Sequence, residues 1–322
     1  MDNNIVYKNI ELNKFTTCRT GGSAKYFIQI DNVDDLVNTL NNAKKESINV
    51  FVLGGGSNVL INDSGFDGLV IKILNKKLKI NQLDNNTFDI DVGAGWGLNN
   101  LINELNHQSI SCVEDLFGIP GTIGGSIRGN CGVGFFEIKD VVNKVFNIDW
   151  LSFNDYNFEI KTYNLNECGF GYRESIFKRK ANIIWEVNLI GKKCSEELLK
   201  EKIKNIMDKR LRTQPYEFPN SGSTFKNVSF DEFDHSVWNE ENLMVINCQN
   251  HKQVPAGWLI EQCGLKGFGI KGAKISEKHA NFIINFDQAK SLDTFNLITY
   301  IKQKVFEKFK VYLELEIQLI GF

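Results

Sequence analysis

The chain is poor in the residues that build covalent and metal staples. Its seven cysteines (Cys18, Cys112, Cys131, Cys168, Cys194, Cys248 and Cys263) are odd in number and contain no CxxC pair. That argues against a disulfide framework and a thiolate zinc site, and fits a reducing compartment. The four histidines (His107, His235, His251 and His279) show no metal-ligand spacing, so no metal is expected. No apolar run approaches the roughly 20 residues of a membrane span. The opening stretch MDNNIVYKNIELNKF has neither the basic nor the apolar region of a signal peptide, so no membrane partner is expected and the expected location is the cytoplasm. An excess of one charge is missing as well. The formal net charge is -2 with Lys and Arg scattered, which points away from nucleic acid and toward a small-molecule partner. Repeats, low-complexity tracts and charge runs are absent, and the four prolines (Pro120, Pro215, Pro219 and Pro255) all lie in or beside the segments discussed below.

What is present is an ordinary globular composition. Apolar residues make up 42% and charged residues 24% of 322, enough for two to three packed domains. Asn32 stands where a helix N-cap belongs, Asp34 and Asp35 follow in the first turn, and Leu36, Val37, Leu40 and Ala43 share one face. The apolar run 49–53 then ends abruptly in Gly54-Gly55-Gly56-Ser57-Asn58, giving β-α-β with a glycine loop. A Rossmann or P-loop site would enter a helix at this point. Here Val59-Leu60-Ile61, a turn and the strand Leu69–Ile73 follow, and no GK[ST] is present, so any phosphate meets a strand-loop-strand.

Phe88, Ile90 and Val92 alternate, a glycine turn follows at 93–96, and Leu98, Leu101, Ile102 and Leu105 make a helical face. A second glycine cluster, 118–125, brings five residues that lack a side chain or a free φ, which lets backbone come close to a ligand. A strand over 183–190 precedes a helix that Ser195 caps, read with Leu198, Leu199, Ile203 and Ile206 inward. The C-terminal part is read as a strand over 279–285, a helix from about 292 to 309, and a last alternating strand with Leu313, Leu315, Ile317 and Leu319 on one face and Glu314, Glu316 and Gln318 on the other.

Taken singly, the polar residues have bland explanations. Ser223 reads as a turn or cap residue, Glu316 as the wet face of a strand, Arg173 as a surface or paired cation, and His279 as a satisfied strand histidine. The series changes this. In order stand TCRTGG (17–22), GGGSNVL (54–60), GIPGTIGGSIRGN (118–130), GYRESIF (171–177), GSTFKN (222–227), AGWLIEQCGLKG (256–267), SEKHANFIIN (276–285) and LELEIQLIG (313–321). In order and spacing these resemble the motifs of the UDP-N-acetylenolpyruvoylglucosamine reductases, the MurB family, and the spacing of Arg173 and Ser223 resembles the subclass lacking a substrate-covering insertion.

The resemblance implies an α+β fold in which a two-part FAD-binding domain of the PCMH, or vanillyl-alcohol-oxidase, type (1–74 and 75–192) precedes a C-terminal α+β substrate-binding domain (193–322). It implies NADPH-driven, FAD-dependent reduction of UDP-N-acetylglucosamine enolpyruvate to UDP-N-acetylmuramate, for peptidoglycan, by a monomer. Ser223, Arg173 and Glu316 match the catalytic positions. Gly54, Gly55, Gly56, Ser57, Asn58, Gly118, Ile119, Gly121, Thr122, Gly124 and Gly125 match the FAD positions, and Tyr172, Arg210, Asn227 and His279 the substrate positions. Two departures stand out: Asn130-Cys131-Gly132-Val133-Gly134-Phe135 replaces a family NAGAYG, and Val228 to Asn250 adds a spacer. A flavin oxidase acting on another small alcohol or sugar, and a nucleotide-sugar binding module with a decayed flavin site, are the competing readings.

Overall fold

A computed structural model of the protein describes residues 6–149, 160–179, 182–232 and 253–322. Most of the 228–250 spacer therefore lies outside the described residues. Val228–Ser229, at its start, pairs with Gln253–Val254, beyond its end, in a short antiparallel ladder.

The chain divides into two compact units, and neither is one stretch of sequence. Unit 1 comprises 1–10, 24–55 and 67–210; unit 2 comprises 11–23, 56–66 and 211–322. Each has its own core.

In unit 1 the strands Tyr7–Glu11, Ser23–Ile30, Phe66–Ile73 and Val50–Val52 form one sheet in that order, with Val50–Val52 parallel to Leu69–Ile71. Helix α1 (Val33–Lys45) closes the β-α-β unit. Its Asn32 side chain accepts a hydrogen bond from the Asp35 N–H, and Leu36, Leu40 and Ala43 are buried, as the apolar spacing and the cap predict. A second, antiparallel sheet runs Ile160–Asn164, Val142–Asp149, Asn182–Lys193, Thr87–Gly93 and Leu78–Gln82. Its central strand Asn182–Lys193 is buried almost throughout, Asn182 and Asn188 included.

Helix α2 (Leu98–His107) buries Leu98, Leu101, Ile102 and Leu105. A short helix α3 (Ile123–Gly129) begins inside the second glycine cluster. The sequence pattern offers no helix there, because glycine is a poor helix former. Helix α4 (Ile176–Arg179) is a single turn. In α5 (Glu196–Thr213) the Ser195 hydroxyl accepts from the Leu198 N–H, but Leu198 is 61% exposed while Leu199 is 1% exposed. Neighbouring helical residues point about 100° apart, and the buried stripe of this helix is narrow enough to take Leu199 and leave Leu198 outside it.

In unit 2 the strands Asn220–Ser223, Phe282–Asn285, Ala273–Ile275 and Gly269–Ile270 form an antiparallel sheet in that order. Helices α6 (Ala256–Gln262) and α7 (Ser291–Phe309) bury Leu259, Ile260, Leu297, Ile298, Ile301 and Val305 in the core of this unit. The stray N-terminal segments belong here for identifiable reasons. Asp63 accepts from the Ser291 and Leu292 N–H groups at the start of α7, Thr17 Oγ1 donates to the Asn220 carbonyl at 2.6 Å, and Val59–Ile61 pairs in parallel with Gln318–Ile320.

Two strand readings shorten. Regular strand starts at Phe282, and His279 lies in the turn before it. The final strand covers only Gln318–Ile320, because the chain there changes partners: Glu316 N–H bonds to the Thr224 carbonyl and Gln318 N–H to the Asn58 carbonyl, so no single ladder runs through.

Candidate active site

In unit 1 the two glycine clusters touch. A Cβ on Gly55 would lie 2.5 Å from Gly121 Cα, and one on Gly54 would lie 3.0 Å from Thr122 Oγ1. Any side chain at Gly55 would thus collide with backbone. Lys72 Nζ donates to the Gly54 carbonyl at 2.9 Å. Because C=O and N–H lie on opposite sides of a trans peptide, holding that carbonyl turns the Gly55 N–H the other way. Burial pushes the Lys72 ammonium below the ordinary lysine range, the direction that a nearby anion would reverse.

The second cluster is anchored on both sides. Leu98 N–H bonds to the Gly121 carbonyl, Ile123 N–H to Trp96 and Gly124 N–H to Ala94, and Gly124 sits so close to Ala94 that a Cβ would approach the alanine methyl at 2.9 Å. Thr122 caps α3 by accepting from the Gly125 N–H. Asn99, a residue that sequence reading missed, brackets the start of the cluster: its Oδ1 accepts from the Gly118 N–H at 2.7 Å and its Nδ2 donates to the Ile119 carbonyl at 3.1 Å. Its position within a helix offered no signal of that role.

These residues fit a dinucleotide flavin. Neither cluster contains a carboxylate, backbone is bare where a diphosphate would need close approach, and Lys72 adds a cation beside the loop. Gly54 and Gly55 belong to unit 1, whereas Gly56, Ser57 and Asn58 belong to unit 2. There Gly56 has φ +66° and a Cβ would strike the Phe15 carbonyl oxygen, while Thr17 N–H bonds to the Gly56 carbonyl. This gives Thr17 of the TCRTGG motif a structural task.

Also in unit 1, Tyr172 and Arg173 occupy the tight turn Gly171–Glu174, closed by reciprocal backbone bonds between its ends. Arg173 takes the left-handed conformation, φ +54°, which costs a non-glycine residue about 1–2 kcal/mol. Its guanidinium lies 5.2 Å from the Tyr172 ring centre and Nη2 donates to the Gly132 carbonyl at 2.8 Å. Lys178 Nζ donates to the Arg173 carbonyl. Arg210 is elsewhere in this unit, on α5, and only 8% exposed.

In unit 2, Ser223 pairs with Phe282 across the sheet. The next residue, Thr224, is bonded on both sides: its N–H to the Asn281 carbonyl and its carbonyl to the Glu316 N–H, at 2.8 and 2.9 Å. Residues 223 and 316, distant in sequence, thereby come within one residue of a shared hydrogen bond. Asn58 joins them, donating from Nδ2 to the Glu316 carbonyl at 3.1 Å. Asn281, also missed in the sequence, is buried and holds Phe225 at both its N–H and its carbonyl. Asn281 N–H also donates to His279 Nδ1 at 3.2 Å. Burial, with the charge of Lys266 second, pushes His279 below the ordinary histidine range, so near neutral pH the ring is uncharged and carries its proton on Nε2. Asn227 lies further along, its Oδ1 accepting from the Ala256 N–H, at the N-terminus of α6. Among the described residues no group of three His, Cys, Asp or Glu side chains could hold a metal ion, and no helix is long and apolar enough to cross a membrane.

Comparison with known proteins bears on the whole chain. Residues 214–320 match the model of the UDP-N-acetylenolpyruvoylglucosamine reductase C-terminal domain, and residues 24–146 match that of an FAD binding domain. The α+β expectation with a flavin-binding part is borne out. The UDP-N-acetylenolpyruvoylglucosamine reductase of Carboxydothermus hydrogenoformans is 34% identical over 98% of this chain and 94% of its own length. That of Prochlorococcus marinus subsp. pastoris is 36% identical over 99% and 98%. The crystal structure of the Thermus caldophilus enzyme superposes with a TM-score of 0.75 at 28% identity, covering 99% of this chain and all of that one. With matches of this length at both ends and through the middle, the chain belongs to the UDP-N-acetylenolpyruvoylglucosamine reductase family.

Proposed function

We propose that the protein reduces UDP-N-acetylglucosamine enolpyruvate to UDP-N-acetylmuramate, a step of peptidoglycan precursor synthesis, with NADPH as the hydride donor. Bound FAD supplies the hydride relay that side chains cannot. The reaction adds hydride to the terminal alkene carbon and a proton to the carbon beside the carboxylate, so charge builds on that carboxylate before the proton arrives. Ser223 donates the proton and regains one from solvent. An isolated serine is too weak an acid for this unless its neighbours stabilise the alkoxide or return the proton quickly, and Glu316 stands with Arg173 around the enolate carboxylate, where a glutamate helps as the protonated donor.

Arg173 presents a planar fork of donors to the substrate carboxylate and stabilises the charge that collects there. Tyr172, Arg210, Asn227 and His279 also contact the substrate, Arg210 at the diphosphate and His279, as a neutral Nε2–H donor, in the region of the carboxylate. Gly54, Gly55, Gly56, Ser57 and Asn58, with Gly118, Ile119, Gly121, Thr122, Gly124 and Gly125, hold FAD, with Lys72 beside the diphosphate. We place the reaction in the cytoplasm and the enzyme as a monomer, which light scattering checks. We also divide the chain functionally into 1–74 and 75–192 for FAD and 193–322 for substrate.

The observation that carries the reading is the Glu316 N–H to Thr224 carbonyl bond, which brings the Ser223 and Glu316 positions together at a segment anchored by buried Asn281. The test is anaerobic: FAD-loaded protein is mixed with NADPH until the flavin band bleaches, and the enolpyruvyl sugar is then added. Return of the band with one reduced sugar per flavin supports the reading. Return only on admitting oxygen overturns it in favour of an oxidase, and failure to take up FAD overturns it in favour of a binding module.

A further inference from the structure

Asn130 stands at the centre of a network with no role in the account above. It ends α3 in the left-handed conformation, φ 42°, and is completely buried. A buried amide is retained only where its donors and acceptor are used. Its Nδ2 donates to the Gly171 carbonyl at 2.8 Å and to Glu137 Oε2 at 3.0 Å, and its Oδ1 accepts from the Lys139 N–H at 3.3 Å.

Two of the three partners lead to Arg173. Gly171 opens the turn that carries it. Glu137 forms the base of the hairpin Gly132–Val133/Phe136–Glu137, pairing with Gly132, and the carbonyl of Gly132 is the acceptor for Arg173 Nη2. Beside Asn130, Ser175, also fully buried, donates from Oγ to the Arg128 carbonyl at 2.7 Å, so the far end of the turn is fastened to α3 as well. One amide therefore holds both the main chain before Arg173 and the strand on which its guanidinium rests.

We infer that Asn130 is a positioning residue for Arg173, setting the guanidinium where it discriminates a ligand with a carboxylate from one without. The inference rests on Arg173 being the carboxylate-binding group. It also accounts for the left-handed arginine: a strained backbone persists only where its surroundings over-determine it, and Asn130, Ser175 and Lys178 do so here.

The test is calorimetric binding of two ligands to the FAD-loaded protein: UDP-N-acetylmuramate, which has the carboxylate, and UDP-N-acetylglucosamine, which lacks it. Asn130→Gly keeps the left-handed backbone accessible and removes only the amide. It weakens binding of the muramate about tenfold, leaves the glucosamine compound unchanged, and produces no further loss when added to Arg173→Ala. Asn130→Asp, which sets a carboxylate against the Gly171 carbonyl and Glu137, gives the same selective loss; flavin content reports folding of both variants. Equal weakening of both ligands, no weakening of either, or full additivity with Arg173→Ala overturns the role of Asn130 while leaving Arg173 in place. If Arg173→Ala itself leaves the preference for the carboxylate intact, the reading of Arg173 falls and the inference falls with it.

Discussion

Arg173 in unit 1 and Ser223 in unit 2 sit on segments fixed by different kinds of bond. The Arg173 turn is fastened by side chains reaching for main chain: Asn130 to Gly171, Ser175 to Arg128, and Lys178 to Arg173 itself. The Ser223 segment is fastened mainly by main chain reaching for main chain, through Phe282, Asn281 and Glu316. A main-chain bond survives most substitutions, whereas a side-chain bond is lost with its residue. The serine should therefore tolerate change around it without moving, and the arginine should not.

The largest effect that sharpens this contrast is at Ser223 itself. Ser223→Ala removes the proton donor from a segment whose geometry does not depend on it, so turnover falls about 10²–10⁴-fold while flavin content and melting temperature match the parent. Turnover near the parent value would remove Ser223 from the chemistry. Next is Arg173→Lys, which keeps a cation but loses the fork and its bond to the Gly132 carbonyl. Turnover drops about 10- to 100-fold, and steady-state kinetics with parental values would show that a point charge suffices.

Asn281→Ala tries to break the contrast, since Asn281 provides the side-chain bonds that hold Phe225 in unit 2. It strands a buried N–H and a buried carbonyl and lowers stability by about 1–3 kcal/mol; denaturant unfolding without a shift would mean that the main chain alone suffices. The smallest effect concerns His279. Burial holds its pKa down, so the unfolded chain takes up a proton near pH 6.5 before the folded one does. Its contribution to stability is whole above that value and is lost as pH falls through it toward the lower folded value. The melting temperature of the parent should thus decline more steeply than that of His279→Gln between about pH 7 and pH 5, and parallel declines would show that His279 is not buried as a neutral ring.

Where the signal was local, the sequence was readable. The Asn32 cap, the face of α2 and the strand-loop-strand at 50–61 follow from spacing and turn residues within a short window. What escaped was set by contacts distant in sequence. Leu198 was read as inward because apolarity alone cannot say which of two adjacent leucines faces the core. The final strand was read too long because alternation at 313–319 does not reveal that the chain passes from Thr224 to Asn58 as partner. Asn99, Asn130 and Asn281 went unnoticed for a related reason: a buried asparagine looks like any surface asparagine until the carbonyls it serves are in place. The site residues came from the joint motif series, not from any one of them.

The bond between Asn58 and the Glu316 carbonyl joins residues 258 positions apart, and the parallel pairing of Val59–Ile61 with Gln318–Ile320 does the same beside it. During synthesis at about 5–20 residues per second, the strand at 59–61 waits on the order of tens of seconds for its partner to leave the ribosome. Until then it is a short apolar edge open to the wrong pairing. Unit 2, though mostly the last third of the chain, is thus begun early, at residue 11, and finished last, and a fragment expressed from residue 211 onward would lack a strand, a helix cap and the Thr17 anchor together. Slow elongation or a missing chaperone should damage this half of the protein before the other.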